Sequence, residues 1–497
     1  LTDELRAQIE SATVLQRVED LYKPYRRKRA TRASKARAAG LEPLANLVLM
    51  QPEHADEPLV AAAAHLNPEA GYDTPEAALA GARDIVAELV AEDAENVAEM
   101  RAYTRDVATI DSEAVDPSES TPYEPYYDFS EAARTIANHR VLAIDRGERE
   151  GKLRVHVRCD LERAVAHLSD RYPRRRGPFA PELDAAIADG YRRLMAPSLE
   201  RDLRLDLTTR AQRDAIAVFA RNTEGLLLQR PVRGARVIAL DPGYRAGCKV
   251  AVLDEYGALL DHTILSPTPP RRDVAGTKRA LSRLVERYAI NTIVIGNGTA
   301  SRETEKVVSE FIAESAPDLR YTIVNEAGAS VYSASELASE ECPDLDVTTR
   351  GAMSLGRRLQ DPLAELVKIP PQSIGVGQYQ HDLDQRELAH ALGNVVEDVV
   401  NRVGVDVNTA SASLLGYVSG ISATVARNIV AYREENGAFT NRGQLKKVPM
   451  LGPKAFLNSA GFLRITGGDD PLDATGVHPE SYGAALGLLE RAGVEPR

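Results

Sequence analysis

Cysteine is scarce, and what is present is scattered. The chain of 497 residues holds 3 cysteines, Cys159, Cys248 and Cys342. An odd number of widely separated thiols excludes a disulfide framework and a Cys-rich zinc site, and fits a reducing cytoplasm. Long apolar runs are missing too: no stretch is long enough to span a bilayer, and no signal peptide is visible. Uniform basicity is absent. Lys plus Arg number 61 against 73 Asp plus Glu, a formal net charge of -12, so any contact with a polyanion has to come from a local patch. Neither Gly-x-Ser-x-Gly nor His-Glu-x-x-His occurs, which argues against the common hydrolases. Gly375 and Gly377 in IGVGQYQHDL lack the lysine of a phosphate loop.

With 43% hydrophobic and 27% charged residues, the chain reads as globular, with length for about three domains. Residues 1–20 have near-helical apolar spacing. Residues 22–37 then hold eight Lys or Arg and no acid. There Tyr22 and Tyr25 flank Arg26, Arg27, Lys28 and Arg29, either a backbone clamp with rings for stacking or a solvated loop. Residues 73–107 read as an Ala-rich helix pair. Residues 84–131 carry 14 acids and 2 bases, a balance of -12 that equals the charge of the whole chain. Within that run, 111–128 reads as a Pro- and Ser-rich loop. Residues 140–159 read as two strands joined by a polar turn, and helices fill 180–229. Arg171 and Arg174 to Arg176 read as an exposed basic loop.

From 234 onward the pattern alternates with period two. Apolar segments at 237–241, 248–254 and 258–264, then a helix, strand, helix and strand to 325, give the element order of a ribonuclease H-like mixed sheet. Three acids stand at element ends there. Asp241 closes the first strand beside Gly243 and Gly247, Glu326 follows the strand at 321–325, and Asp361 precedes Pro362. Convergence of the three at one end of the sheet would let them bind Mg²⁺ for phosphodiester chemistry. Each also has an ordinary explanation, Asp361 being a good helix N-cap before proline. His381 near Asp382 and Asp384 reads as a hydrogen-bonded structural histidine rather than a ligand.

Beyond about 385 short helices punctuated by glycine take over. Residues 414–439 and 448–465 repeat a helix, a tight turn and a second helix, with turns Val418-Ser419-Gly420-Ile421 and Met450-Leu451-Gly452-Pro453. Glycine lets such a turn close without a Cβ clash, and the turn presents N–H groups at the positive end of a helix, suited to phosphate. Between 408 and 465 seven bases face two acids. The candidate nucleic-acid contacts are Ser419, Gly420, Ile421, Arg427, Lys446, Lys447, Leu451, Gly452 and Lys454. None of these reads a base, so binding is expected to be sequence-independent.

These segments together resemble the Tex family of transcription accessory proteins. The similar stretches include VEDLYKPYRRKRATRASKARAAGLEPLANLVL, HRVLAIDRGEREGKLRV, VIALDPGYRAGCKVAVLD, VNEAGASVYSAS, SLGRRLQDPLAELVKI and the two hairpins, from about residue 18 to 480. The resemblance implies a multidomain α and α/β protein: a mostly helical region at 1–233 and a YqgF-type ribonuclease H-like domain at 234–370. A helical connector at 371–407, tandem helix-hairpin-helices at 408–470 and the start of a further helical region at 471–497 come next. It implies an N-terminal segment and a C-terminal OB-fold RNA-binding domain lying outside this chain. It also implies RNA or DNA as partner. No membrane and no required cofactor are expected, with Mg²⁺ a cofactor only for a live carboxylate site, and the acidic run could meet RNA polymerase or ribosome-associated proteins. The acids Asp241, Glu326 and Asp361 would then be ancestral and without nuclease activity. The alternatives from the residues are a Mg²⁺-dependent nuclease and a docking platform in which the acidic run meets basic proteins.

Overall fold

A computed structural model describes residues 2–22, 25, 30–173, 177–232, 234–375, 377 and 379–494. The chain divides into two compact units, Leu1–Asp214 and Ala215–Arg497. The runs Arg26 to Arg29 and Arg174 to Arg176 lie outside the described residues.

In the first unit the Ala-rich pair forms as the sequence suggests. Thr74 caps the helix Pro75–Glu92 by accepting from the Ala77 N–H, with Pro75 at the first position. Asp93 ends that helix and caps the next, Ala94–Val107, by accepting from Asn96. Both caps satisfy donors that a helix start leaves free. A core of Leu41, Leu44, Ile85, Met100, Phe179 and their neighbours fills the space beneath.

Two sequence expectations fail here. Three antiparallel strands, β1 (Thr109–Ala114), β2 (Asp128–Ala132) and β3 (Leu153–Arg158), form a sheet in the order β2-β1-β3. β1 thus starts where a loop was expected, because its backbone finds a ladder on both sides and Ile110 and Ser112 turn inward. The first half of 140–159 is a helix, Asn138–Arg149, and only the second half is a strand. Its run Val141-Leu142-Ala143-Ile144 is buried throughout. Periodicity cannot separate a short buried helix from a strand in such a run.

The acidic run is charge-matched inside its own unit. Asp84 pairs with Arg193 at 2.9 Å, Glu88 with Arg37 at 2.8 Å, and Asp111 with Arg158 at 2.6 Å. Glu119 meets Lys152 at 2.6 Å and Glu99 meets His167 at 2.8 Å, and Glu95 and Glu131 meet Arg17 and Arg140. The concentration of acids along the chain is therefore not a bare anionic face.

The second unit is built on a five-stranded sheet of β4 (Val237–Asp241), β5 (Cys248–Leu253), β6 (Leu259–Leu265), β7 (Thr292–Gly296) and β8 (Arg320–Val324). Its order is β6-β5-β4-β7-β8. β4, β5 and β6 form an antiparallel meander, and β7 and β8 add in parallel to β4. Alternation along the strands sorts two cores. Ile238, Leu240, Val250, Val252, Ile293 and Ile295 share one with Leu281, Val308 and Phe311 of the helices Val274–Tyr288 and Ser301–Ser315. Val237, Ala239, Ala251, Leu253 and Val294 face Ala352, Met353 and Leu355 of the helix Val347–Gln360.

Beyond the sheet, the helix Gln385–Val403 leads into the hairpin region. Two short strands occur among these helices: β9 (Val405–Asp406) and β10 (Leu463–Arg464) pair in parallel and bracket the hairpins. Gly375 and Gly377 are packing glycines, since a Cβ on either would press on the Phe219 ring. Asp384 caps the helix after it, accepting from Arg386 and Glu387.

Candidate nucleic-acid interface and carboxylate pocket

The two hairpins superpose in role but not in the residues that do the work. In each, a valine carbonyl accepts from the amide three positions on: Ile421 N–H to Val418 at 2.9 Å and Leu451 N–H to Val448 at 3.2 Å. Ile421 and Leu451 are also buried. These two close their turns and offer no free donor, a correction to their inclusion among the phosphate contacts. The left-handed residue of the first turn is Gly420, at φ 84; that of the second is Met450, at φ 65. Gly452 is instead the N-cap of the helix Pro453–Ser459 at φ -70, the counterpart of Ser422. Sequence pairs the two glycines because a visible glycine signals a turn, whereas here methionine accepts the strained conformation.

The surroundings of the turns differ as well. Both sit at the surface. In the first, the Ser419 N–H donates to Asn401 Oδ1 at 2.9 Å. Ser422 Oγ accepts from Val425, and Gly420 lies against Ala455 and Asn458. In the second, Gly452 has no side chain with which to cap and open space around it. Among the described residues no acceptor faces the N–H groups of Gly452, Lys454 or Ala455. Lys446, Lys447 and Lys454 are exposed around this second turn, with the Lys446 ammonium 4.9 Å from the Phe456 ring centroid. Arg427 is exposed on the helix Ala423–Asn436.

Two other bases in the region, Arg442 and Arg433, are structural. Arg442 is 2% exposed and donates to the carbonyls of Leu463, Val477 and Thr475 and to Tyr482 Oη, with Asp473 3.9 Å away. Arg433 donates to the Val407 carbonyl at 2.7 Å, and burial pulls its pKa down. Sequence counting could not tell these from the solvent-facing lysines. The distinction lies downstream of Arg442: burying an arginine needs acceptors for its donor fork, and the segment 463–482 supplies them.

At the sheet, the structure brings together two of the three acids. Asp241, at the end of β4, stands opposite Lys249 in the ladder with β5, and the two side chains are 3.8 Å apart. Glu326 lies so close to Gly298 that a Cβ there would fall on its carboxylate. Its own N–H donates to Asn297 at 3.0 Å. From behind, the buried Arg358 donates to the carbonyls of Asn325 at 2.7 Å and Ala327 at 2.8 Å, the residues flanking Glu326. Burial raises the pKa of Asp241 against the pull of Lys249. Burial first, then the charge of Asp241, raises that of Glu326. Burial brings Arg358 down to about 10, with Glu365 and Glu326 opposing.

Asp361 does not join them. Helix Val347–Gln360 comes nearest Asp241 at Gly351, whose Cβ position is 3.9 Å from the carboxylate. Asp361 stands ten residues later, about 15 Å along the axis. There Gln360 donates to the carbonyls of Ala235 and Asp254, at the other end of the sheet. Asp361 caps the helix Pro362–Leu366, accepting from Ala364 at 3.0 Å. Among the described residues no three His, Cys, Asp or Glu side chains are grouped to hold a metal, His381 and its neighbours included. The ribonuclease H-like fold implies divalent ions on converging acids. The donor set here does not fit that requirement: one carboxylate faces an ammonium, the second is pressed on a backbone loop, and the helix supplies a glycine.

The fold thus defines a ribonuclease H-like domain followed by a tandem helix-hairpin-helix module. Comparison with known families agrees. The Tex protein YqgF-like domain matches residues 235–360, the helix-hairpin-helix motif 400–464, the Tex central region-like family 53–219 and an HHH domain 470–497. The chain is 49% identical over 515 residues to Protein tex of Bordetella pertussis, covering 100% of this chain and 65% of that protein. It is 46% identical to Uncharacterized protein YdcI of Bacillus subtilis, covering 99% and 69%. To S1 RNA-binding domain-containing protein 1 of Homo sapiens it is 34% identical, covering 98% and 55%. The chain belongs to the Tex family. It spans about 65% of the length of the Bordetella relative. Among the described residues, no helix is long and apolar enough to cross a membrane.

Proposed function

We propose that this chain is a sequence-independent nucleic-acid-binding scaffold that acts in cytoplasmic transcription, with the second hairpin as its principal contact. The observation that carries the reading is the open turn at Gly452, whose unpartnered amides stand among Lys446, Lys447 and Lys454. Main-chain donors and lysines recognise phosphate oxygens whatever the base. A relative from Neisseria gonorrhoeae, 46% identical, is named Transcriptional accessory protein Tex, and the human relative's name specifies RNA binding. The first name supports the assignment to transcription and the second supports RNA as a ligand.

The test is binding to random-sequence RNA and DNA across a salt series. With a few phosphates neutralised, the log–log slope is expected at about -3 to -5. Reversing Lys446 and Lys447 to Glu should weaken binding at least about tenfold and flatten the slope by about 1.5. Affinity and slope unmoved by that change would remove this surface from the account.

A further inference from the structure

The carboxylate pocket supports an inference independent of the hairpins. We infer that Lys249 is the resident cation of this pocket, standing where a divalent ion would have to sit, and that its removal turns Asp241 and Glu326 into a metal site. Four observations converge. Lys249 is the direct cross-strand partner of Asp241, so the ladder register itself delivers the ammonium. Its Nζ lies 3.8 Å from Asp241 Oδ2, and both side chains are largely enclosed, at 20% and 27% exposure. Glu326 is held in place from two sides, by Gly298 in front and by the carbonyls that Arg358 grips behind. Gly351 leaves the facing helix without a third ligand.

The charge balance gives the consequence. The two acids are within electrostatic reach of each other, with Lys249 the charge opposing Asp241 and Arg358, then Lys249, the charges opposing Glu326. An ammonium and a dication cannot occupy one small acidic pocket without strong repulsion. With the ammonium gone, Asp241 loses the charge that faces it while Glu326 keeps Arg358, and two acids sharing that one remaining cation attract another. Hard divalent ions accept two carboxylates and complete their shells with water.

The probe is Mn²⁺, followed by its electron paramagnetic resonance signal and by calorimetric titration of the full chain. Wild type and Asp241→Asn should give the same weak titration. Lys249→Met should bind Mn²⁺ at least about tenfold more tightly than wild type, as expected for the loss of one close positive charge. The double variant Lys249→Met with Asp241→Asn should lose that gain. Lys249→Gln carries the same expectation if the methionine variant does not fold. A wild-type Mn²⁺ site that disappears in Asp241→Asn overturns the inference, and so does a folded Lys249 variant with no gain. The wild-type against Asp241→Asn comparison decides even if neither lysine variant folds. None of these readings depends on nucleic acid, so a failure here leaves the hairpin proposal standing, and the reverse.

Discussion

The two hairpins share a motif, yet two amides of the first, Ser419 and Val425, are taken by side chains, while the second has no side-chain cap and stands among lysines. In the first, Asn401 takes the Ser419 amide, Ser422 caps its helix, and Gly420 fits against the helix Pro453–Ser459. In the second, the cap position is a bare glycine, the strained turn residue is a methionine 73% exposed to solvent, and three lysines stand around it. A sequence motif thus specifies a backbone shape; whether its donors are available depends on residues outside the motif. Asn401 stands 18 positions before the amide it occupies.

Substitutions can break this contrast. The largest effect is expected at Arg442, the frame behind the second hairpin. Arg442→Met strips hydrogen bonds from three carbonyls and from Tyr482, and leaves Asp473 without its buried partner. A loss of about 3–5 kcal/mol is expected in urea unfolding; a loss below about 1 kcal/mol would mean that the region repacks. Next are the turn residues, where the two copies should respond with opposite signs. Gly420→Ala forces a side chain into φ 84 and within 3.1 Å of the Ala455 carbonyl, and should cost about 1–2 kcal/mol. Met450→Gly relieves φ 65 and should stabilise by about 0.5–1 kcal/mol. The smallest change makes the second copy resemble the first. Gly452→Ser adds the missing cap, for a gain of a few tenths of a kcal/mol, while nucleic-acid affinity should fall because a donor is now occupied. Equal thermal midpoints with unaltered affinity would mean that the cap does not distinguish the copies.

The same lesson covers what the sequence disclosed. The sheet from β4 to β8 was legible nearly to the residue, because alternation with two buried faces leaves little freedom in register. The helix pair at 73–107 was legible from its alanine-rich composition. The helix at 138–149 was not, since four consecutive apolar residues carry no period. Asp241 and Glu326 could be read as neighbours from their strand ends. Asp361 could not be excluded, because its distance depends on helix length and direction rather than on local pattern. In the hairpin region Arg427, Lys446, Lys447 and Lys454 are exposed, as a contact surface requires, but the buried role of Arg442 required the segment that wraps it.

Amide hydrogen exchange with and without a random-sequence single strand tests the central claim most directly. Protection should appear at Gly452, Lys454 and Ala455, while Ser419, already bonded to Asn401, should exchange as before. Protection confined to Ser419 and Gly420, with the second turn unchanged, would contradict the account.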